Sequence, residues 1–284
     1  KKYPQEIKLL KVIRVLFVQN KKIKDGITIF RKILDIDPLS VDILINIGVA
    51  YFELENLDLA LEYLNKAKTL NSRLDEIYFN LGVIYAKRKK STEAILNYEQ
   101  SIKYNSSNRD ALINLGSIYL ENKDYHKAKK IFEKAINLQP LDSRLYHNLG
   151  VVFTRLNIFE EAIESYLKAQ KLNSKNPLTY YNLGYLLTKK FKIKESINNY
   201  KKAIKLDSNN AKFYYNLALA ETELGKYFSA ITNYKRAISI FNDYEAAKYN
   251  LARLNLATEN FSDGWKDYEK RHNQNNIPQR IKNV

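Results

Sequence analysis

Histidine, cysteine and paired carboxylates are where chemistry would show first, and this sequence of 284 residues offers little of it. It has no Cys, which removes a thiol nucleophile, a disulfide framework and cysteine metal sites. Its three His, at 126, 147 and 272, have no ligand spacing. His147 sits between Tyr146 and Asn148 with no Ser or carboxylate placed to complete a nucleophilic set, so it reads as a contact or packing residue. No P-loop, Gly-rich dinucleotide turn or HExxH motif is present. No cofactor and no catalytic residue are expected.

The patterned polar residue is asparagine. Asn46, Asn80, Asn114, Asn148, Asn182, Asn216 and Asn250 follow one another at intervals of 34. An amide carries donors and an acceptor together, which matches the N–H and C=O of a peptide backbone. Seven such amides in register would grip an extended peptide with little regard to its side chains. The same amides can instead serve hydrogen bonds within the chain.

The elements that position them follow from the same period. Five of the Asn open Asn-(Leu/Ile)-Gly, at Gly48, Gly82, Gly116, Gly150 and Gly184; Ala218 and Ala252 stand in the last two. Twelve residues on comes a small residue (Ala60, Ala94, Ala128, Ala162, Ser196, Ala230, Gly264). Four further stands a large one (Leu64, Tyr98, Phe132, Tyr166, Tyr200, Tyr234, Tyr268), and usually a small one three after that. Small against large at helical spacing lets two antiparallel helices interlock. Polar turns such as Glu121–Asp124 are long enough to join them and no longer.

These residues resemble the signature of the tetratricopeptide repeat (TPR) family, over residues 7–278 as eight repeats starting at 7, 41, 75, 109, 143, 177, 211 and 245. The resemblance implies an all-α fold, a right-handed α-solenoid superhelix of helix–turn–helix repeats. It gives a leader at 1–6, a degenerate N-terminal capping repeat at 7–40 with Val12 and Arg14 in place of Asn and Gly, and six repeats over 41–244. A divergent last repeat at 245–278, with Arg271 where a small residue belongs, and a tail at 279–284 complete it. Only Pro38 and Pro140 fill the terminal Pro position; Ser72, Ser106, Ser174 and Ser208 take others.

Counting positions within each repeat, 4, 7, 8 and 11 fall on one side of the first helix and pack, while 2, 6, 9 and 13 fall in a stripe of about 60° opposite. The recurrent Asn is position 6. In the family that stripe lines a concave groove, and the array resembles that of protein O-linked N-acetylglucosamine transferases, whose groove uses such an Asn ladder. A carboxylate clamp of the Hsp90-binding kind would need a second Asn at position 9, where Val49, Val83, Ser117, Val151, Tyr185, Leu219 and Arg253 stand.

The net charge of +16 raises nucleic acid as a partner. Yet the stripe holds seven bases (Lys8, Lys87, Arg144, Arg155, Lys189, Lys212, Arg253) against six acids (Asp42, Glu53, Glu76, Asp110, Glu121, Glu223). The excess lies at 1–40 and 177–210, without the aromatic platform of single-strand binders. A nucleic-acid partner is therefore disfavoured, and a protein or extended peptide segment is expected. Along the stripe the acids come first and the bases later, which suits a peptide of opposite charge order. Arg144, Arg155 and Lys189 are its candidate basic contacts. Tyr185, with Tyr181, Tyr215 and Tyr249 at position 5, forms a candidate aromatic wall.

No apolar run approaches the ~18 residues of a membrane span, and no secretory signal is visible, so a cytoplasmic setting is expected. The absence of Met, initiator included, points to a piece of a longer chain. Its end, around Gly264-Trp265, Tyr268-Glu269 and Arg271, resembles the close of TPR arrays in bacterial proteins that continue into a glycosyltransferase-like domain. The alternative expectation is thus the acceptor-binding part of a peptide-modifying glycosyltransferase.

Overall fold

The computed structural model describes residues 22–268, with side chains to 265; the leader, the start of the capping repeat, Arg271 and the tail lie outside them. The described residues form fifteen α-helices and divide into two units, 1–140 and 141–284. In the first unit α1 (Ile23–Ile36) packs on α2 (Val41–Glu53), which pairs with α3 (Leu57–Leu70). Two more pairs follow: α4 (Asp75–Lys87) with α5 (Ser91–Tyr104), and α6 (Arg109–Glu121) with α7 (Tyr125–Leu138). The second unit has four pairs. They are α8 (Ser143–Arg155) with α9 (Phe159–Leu172), α10 (Pro177–Lys189) with α11 (Ile193–Leu206), α12 (Ala211–Glu223) with α13 (Tyr227–Ile240), and α14 (Glu245–Ala257) with α15 (Phe261–Tyr268). This is the tandem helix–turn–helix architecture of an α-solenoid, in which each pair packs mainly on its sequence neighbours.

Each pair is locked by one small–large contact. A Cβ added to Gly82 would lie 2.6 Å from Cε1 of Tyr98; at Gly116 it would meet Phe132 at 2.7 Å, and at Gly150 Tyr166 at 2.7 Å. These rings are buried, as are Ala94, Ala128 and Ala162 at the small position of the second helix. Glycine here is a matter of space, because the phenyl ring occupies the volume a methyl group would take. The pair at 211–244 solves the same problem with Ala218 beneath Tyr234, both buried.

The turn inside each pair is a Schellman motif. Lys90 N–H donates to the Tyr85 carbonyl across the six-residue loop, while Lys89 N–H donates to Ala86, each at 2.9 Å. Asp124, Ile158, Lys192, Lys226 and Asn260 repeat the longer bond. The motif requires a left-handed residue at position 15. Glycine supplies it only at Gly225 (φ 71°); Glu55, Lys89, Lys123, Asn157, Phe191 and Glu259 adopt φ of 58–64° with a side chain. The turns between pairs are closed by Asn and Asp. The side chains of Asn108, Asp142, Asn176 and Asn210 accept from backbone N–H groups at the starts of α6, α8, α10 and α12, which satisfies donors that the helix leaves open.

Candidate functional site

The seven Asn all lie in first helices, one per pair, and their surroundings differ. Asn46 is 3% exposed, so its amide is enclosed; the other six are half-buried. In the first unit Asn80 Nδ2 donates to the Glu76 carbonyl one turn back at 2.8 Å. Asn114 Nδ2 reaches the Tyr98 hydroxyl at 3.3 Å. Tyr98 is therefore both the ring that fills the space over Gly82 and the post on which the next repeat's Asn rests.

In the second unit Asn182 stands in the same relation to Tyr166, which it hydrogen-bonds. Asn216 donates twice through Nδ2, to the Lys212 carbonyl at 2.9 Å and to the Tyr181 hydroxyl at 3.2 Å. Asn250 Nδ2 donates to the Tyr215 hydroxyl at 3.1 Å. A carbonyl oxygen has no proton to give, so the contact with Lys212 fixes which end of the Asn216 amide is NH2. Asn80, Asn114, Asn216 and Asn250 are thus tied to the chain by their nitrogens. The oxygens of Asn80, Asn114, Asn216 and Asn250 accept no hydrogen bond among the described residues. The one buried side-chain polar atom there without a partner is Asn255 Oδ1, so those oxygens reach solvent.

Burial raises the phenol pKa of Tyr98, Tyr166, Tyr200 and Tyr234 to about 12, against which their hydrogen-bond partners act weakly. Desolvation also pushes up Tyr181 and Tyr215, opposed by the bonds from Asn216 and Asn250. All stay protonated near neutral pH, and each O–H remains a donor.

The candidate aromatic wall divides. Tyr181 packs on Phe213 and Tyr200, with centroids 5.1 and 5.9 Å away, and Tyr215 packs on Tyr244 at 4.8 Å. Their faces are spent inside the unit, and only their hydroxyls face the Asn row. Tyr185 remains 39% exposed, with Lys189 Nζ 5.6 Å above its ring, and Arg253 covers Tyr249 at 5.7 Å. Arg155 is exposed. Arg144 is engaged by Asp142 through two bonds, of 3.1 and 2.7 Å, the second residue also capping α8.

His147 is a packing residue. Its Nδ1 lies 2.8 Å from the buried Thr179 hydroxyl, its ring leans on Tyr166, and desolvation holds its pKa below the ordinary value. Sequence reasoning missed the phenols of Tyr98, Tyr166, Tyr181 and Tyr215 as supports of the Asn row. For Tyr181 and Tyr215 the signal was present in the doublets Tyr181-Asn182 and Tyr215-Asn216, followed one repeat later by Asn216 and Asn250. Their spacing sets each Tyr one repeat behind the Asn it holds.

Residues 41–74, 75–108, 110–140 and 211–244 match the family described as tetratricopeptide repeat, and residues 152–190 and 184–220 match its TPR repeat form. The chain belongs to the tetratricopeptide repeat family. TPR repeats are protein-interaction repeats, and this chain is an interaction module of that kind. No curated protein matches it. Among solved structures it is similar to pilF of Pseudomonas aeruginosa, with TM-score 0.67 and 21% identity over 76% of this chain and 98% of that one. It is also similar to YrrB, described as a TPR protein with an unusual peptide-binding site, with TM-score 0.57 and 22% identity over 66% and 96%. The Cut9–Hcn1 assembly of APC/C matches with TM-score 0.64 and 18% identity over 85% of this chain and 48% of that one. These likenesses concern the fold. Among the described residues no helix is long and apolar enough to cross a membrane.

Proposed function

We propose that each unit of this TPR chain binds an extended protein segment along its own first-helix stripe, through the Asn residues there. One observation carries the reading: the amide nitrogens are committed within the chain while the amide oxygens of Asn80, Asn114, Asn216 and Asn250 are left open to solvent. Equivalent helices of neighbouring repeats pack about 10 Å apart, and an extended chain rises ~3.3 Å per residue. One rung therefore serves every third residue of the ligand, and side-chain identity matters little. In the second unit Arg155, Lys189 and Lys212 flank the row and are exposed, which favours a segment carrying acidic residues there.

The test is a selection of 15-residue peptides from a randomised library on the intact chain, followed by Asn182, Asn216 and Asn250 changed together to Ala. The two oxygens left open, on Asn216 and Asn250, at about 1 kcal/mol each predict an affinity lower by about 30-fold. Unchanged affinity, with helicity intact by circular dichroism, removes the Asn row from the site.

A further inference from the structure

An Asn acting alone on a peptide backbone would have to donate to its C=O and accept from its N–H. At Asn216 that is impossible, because both amide protons are already given away, one to Lys212 and one to Tyr181. What remains is Oδ1, an acceptor and nothing else. The missing donor stands beside it. The Tyr181 hydroxyl receives the Asn216 proton on a lone pair, and its own hydrogen goes to no acceptor among the described residues. One repeat later Asn250 Nδ2 likewise donates to the Tyr215 phenol, with one amide proton committed instead of two.

We propose that in the second unit the unit of recognition is a composite rung, Tyr181 with Asn216 and Tyr215 with Asn250. The Asn oxygen accepts a backbone N–H of the bound segment and the phenol of the preceding repeat donates to a backbone C=O. This deepens the peptide-binding reading and rests on it. Three features carry it. The Asn216 oxygen reaches solvent, since among the described residues Asn255 Oδ1 is the one buried side-chain polar atom left unpartnered. The Tyr181 and Tyr215 rings are clamped by Phe213 and by Tyr244, so the hydroxyls are held in place before any ligand arrives. The bond from Asn to Tyr also polarises the phenol, which strengthens it as a donor.

The composite rung makes a demand that a free Asn does not. Its ligand must be an open backbone: a proline, or an N-methylated residue, facing Asn216 or Asn250 supplies no N–H. It also binds donor and acceptor to two different repeats, so a segment seated on Tyr181 and Asn216 bridges the 177–210 and 211–244 pairs.

The experiment uses the intact chain and a peptide from the randomised selection above. Asn216→Asp loses both donors and leaves a carboxylate beside the phenol, which takes the Tyr181 hydrogen away from the ligand, so it is expected to weaken binding by about as much as Tyr181→Phe. Asn216→Leu and Tyr181→Phe each remove one ligand bond and are expected to weaken binding roughly five- to tenfold. Replacing single peptide amides by esters deletes one N–H at a time, and losses of similar size are expected at two positions three residues apart. Circular dichroism melts report whether each variant folds, and the ester series needs no variant at all. Unchanged affinity in a folded Tyr181→Phe overturns the composite rung, as does an ester series with no sensitive position. If the triple Ala variant already binds normally, it is the peptide-groove reading that fails.

Discussion

Adding one methyl group at Gly150 tests the link between helix packing and the Asn row. The new Cβ would lie 2.7, 2.8 and 3.0 Å from Cε1, Cδ1 and Cζ of Tyr166. Carbon atoms settle at about 3.5–4.0 Å, so the ring must retreat by roughly 0.8 Å. It has little room: Tyr166 is buried, its hydroxyl lies 3.4 Å from Thr154 Oγ1, and it holds Asn182. Overpacking of this kind costs about 1–3 kcal/mol, and replacing a mid-helix Gly by Ala returns about 1 kcal/mol. The net expectation for Gly150→Ala is a loss of about 0–2 kcal/mol. Ala218 beneath Tyr234 shows that the combination is accommodated where the pair is built for it, so the penalty is one of displacement, not of exclusion. Urea unfolding followed by circular dichroism gives the total, and amide exchange in α8 and α9 localises it. Peptide affinity should fall as well, through the displaced Asn182. A Gly150→Ala chain stabilised by 1 kcal/mol or more, with affinity unchanged, would refute both the fixed ring and its coupling to the row.

Two further outcomes follow from the geometry. His147 is held below its ordinary pKa by burial, so below about pH 6.5 the unfolded chain takes up a proton that the folded one refuses. That part of the stability is complete above pH 6.5 and is lost as the pH falls toward the folded value; His147→Leu should flatten the decline of the urea midpoint between pH 7 and 5, and an unchanged slope would remove His147 as its source. Phe191 is 87% exposed at φ 58°, with strain and no burial to lose, so Phe191→Gly should gain a few tenths to about 1 kcal/mol after the entropy of a freer unfolded chain. A thermal melt that drops would overturn this.

The repeat and its interlock were legible because they rest on residue size at fixed intervals: Gly82 against Tyr98 and Gly150 against Tyr166 can be read without coordinates. The left-handed turn was not, because Lys89, Lys123 and Phe191 occupy a conformation that a sequence announces only when Gly stands there. The enclosure of Asn46 was equally hidden, since its register is that of the other six and only its surroundings differ. The largest gap concerns the amides themselves. A sequence names an Asn, but which end of it is spent within the chain depends on a phenol 35 residues earlier, as at Tyr181 and Asn216.

The position-15 turns have a consequence beyond geometry. Six helix pairs each carry a strained hinge outside glycine, at Glu55, Lys89, Lys123, Asn157, Phe191 and Glu259, and each is released by a single substitution, which reaches the Asn stripe at Glu55, where the carboxylate pairs with Lys87. Because each pair leans mainly on its neighbours, such a change acts locally. Evolution, or an engineer, can therefore firm the chain one pair at a time by editing its turn, and leave every binding residue as it is.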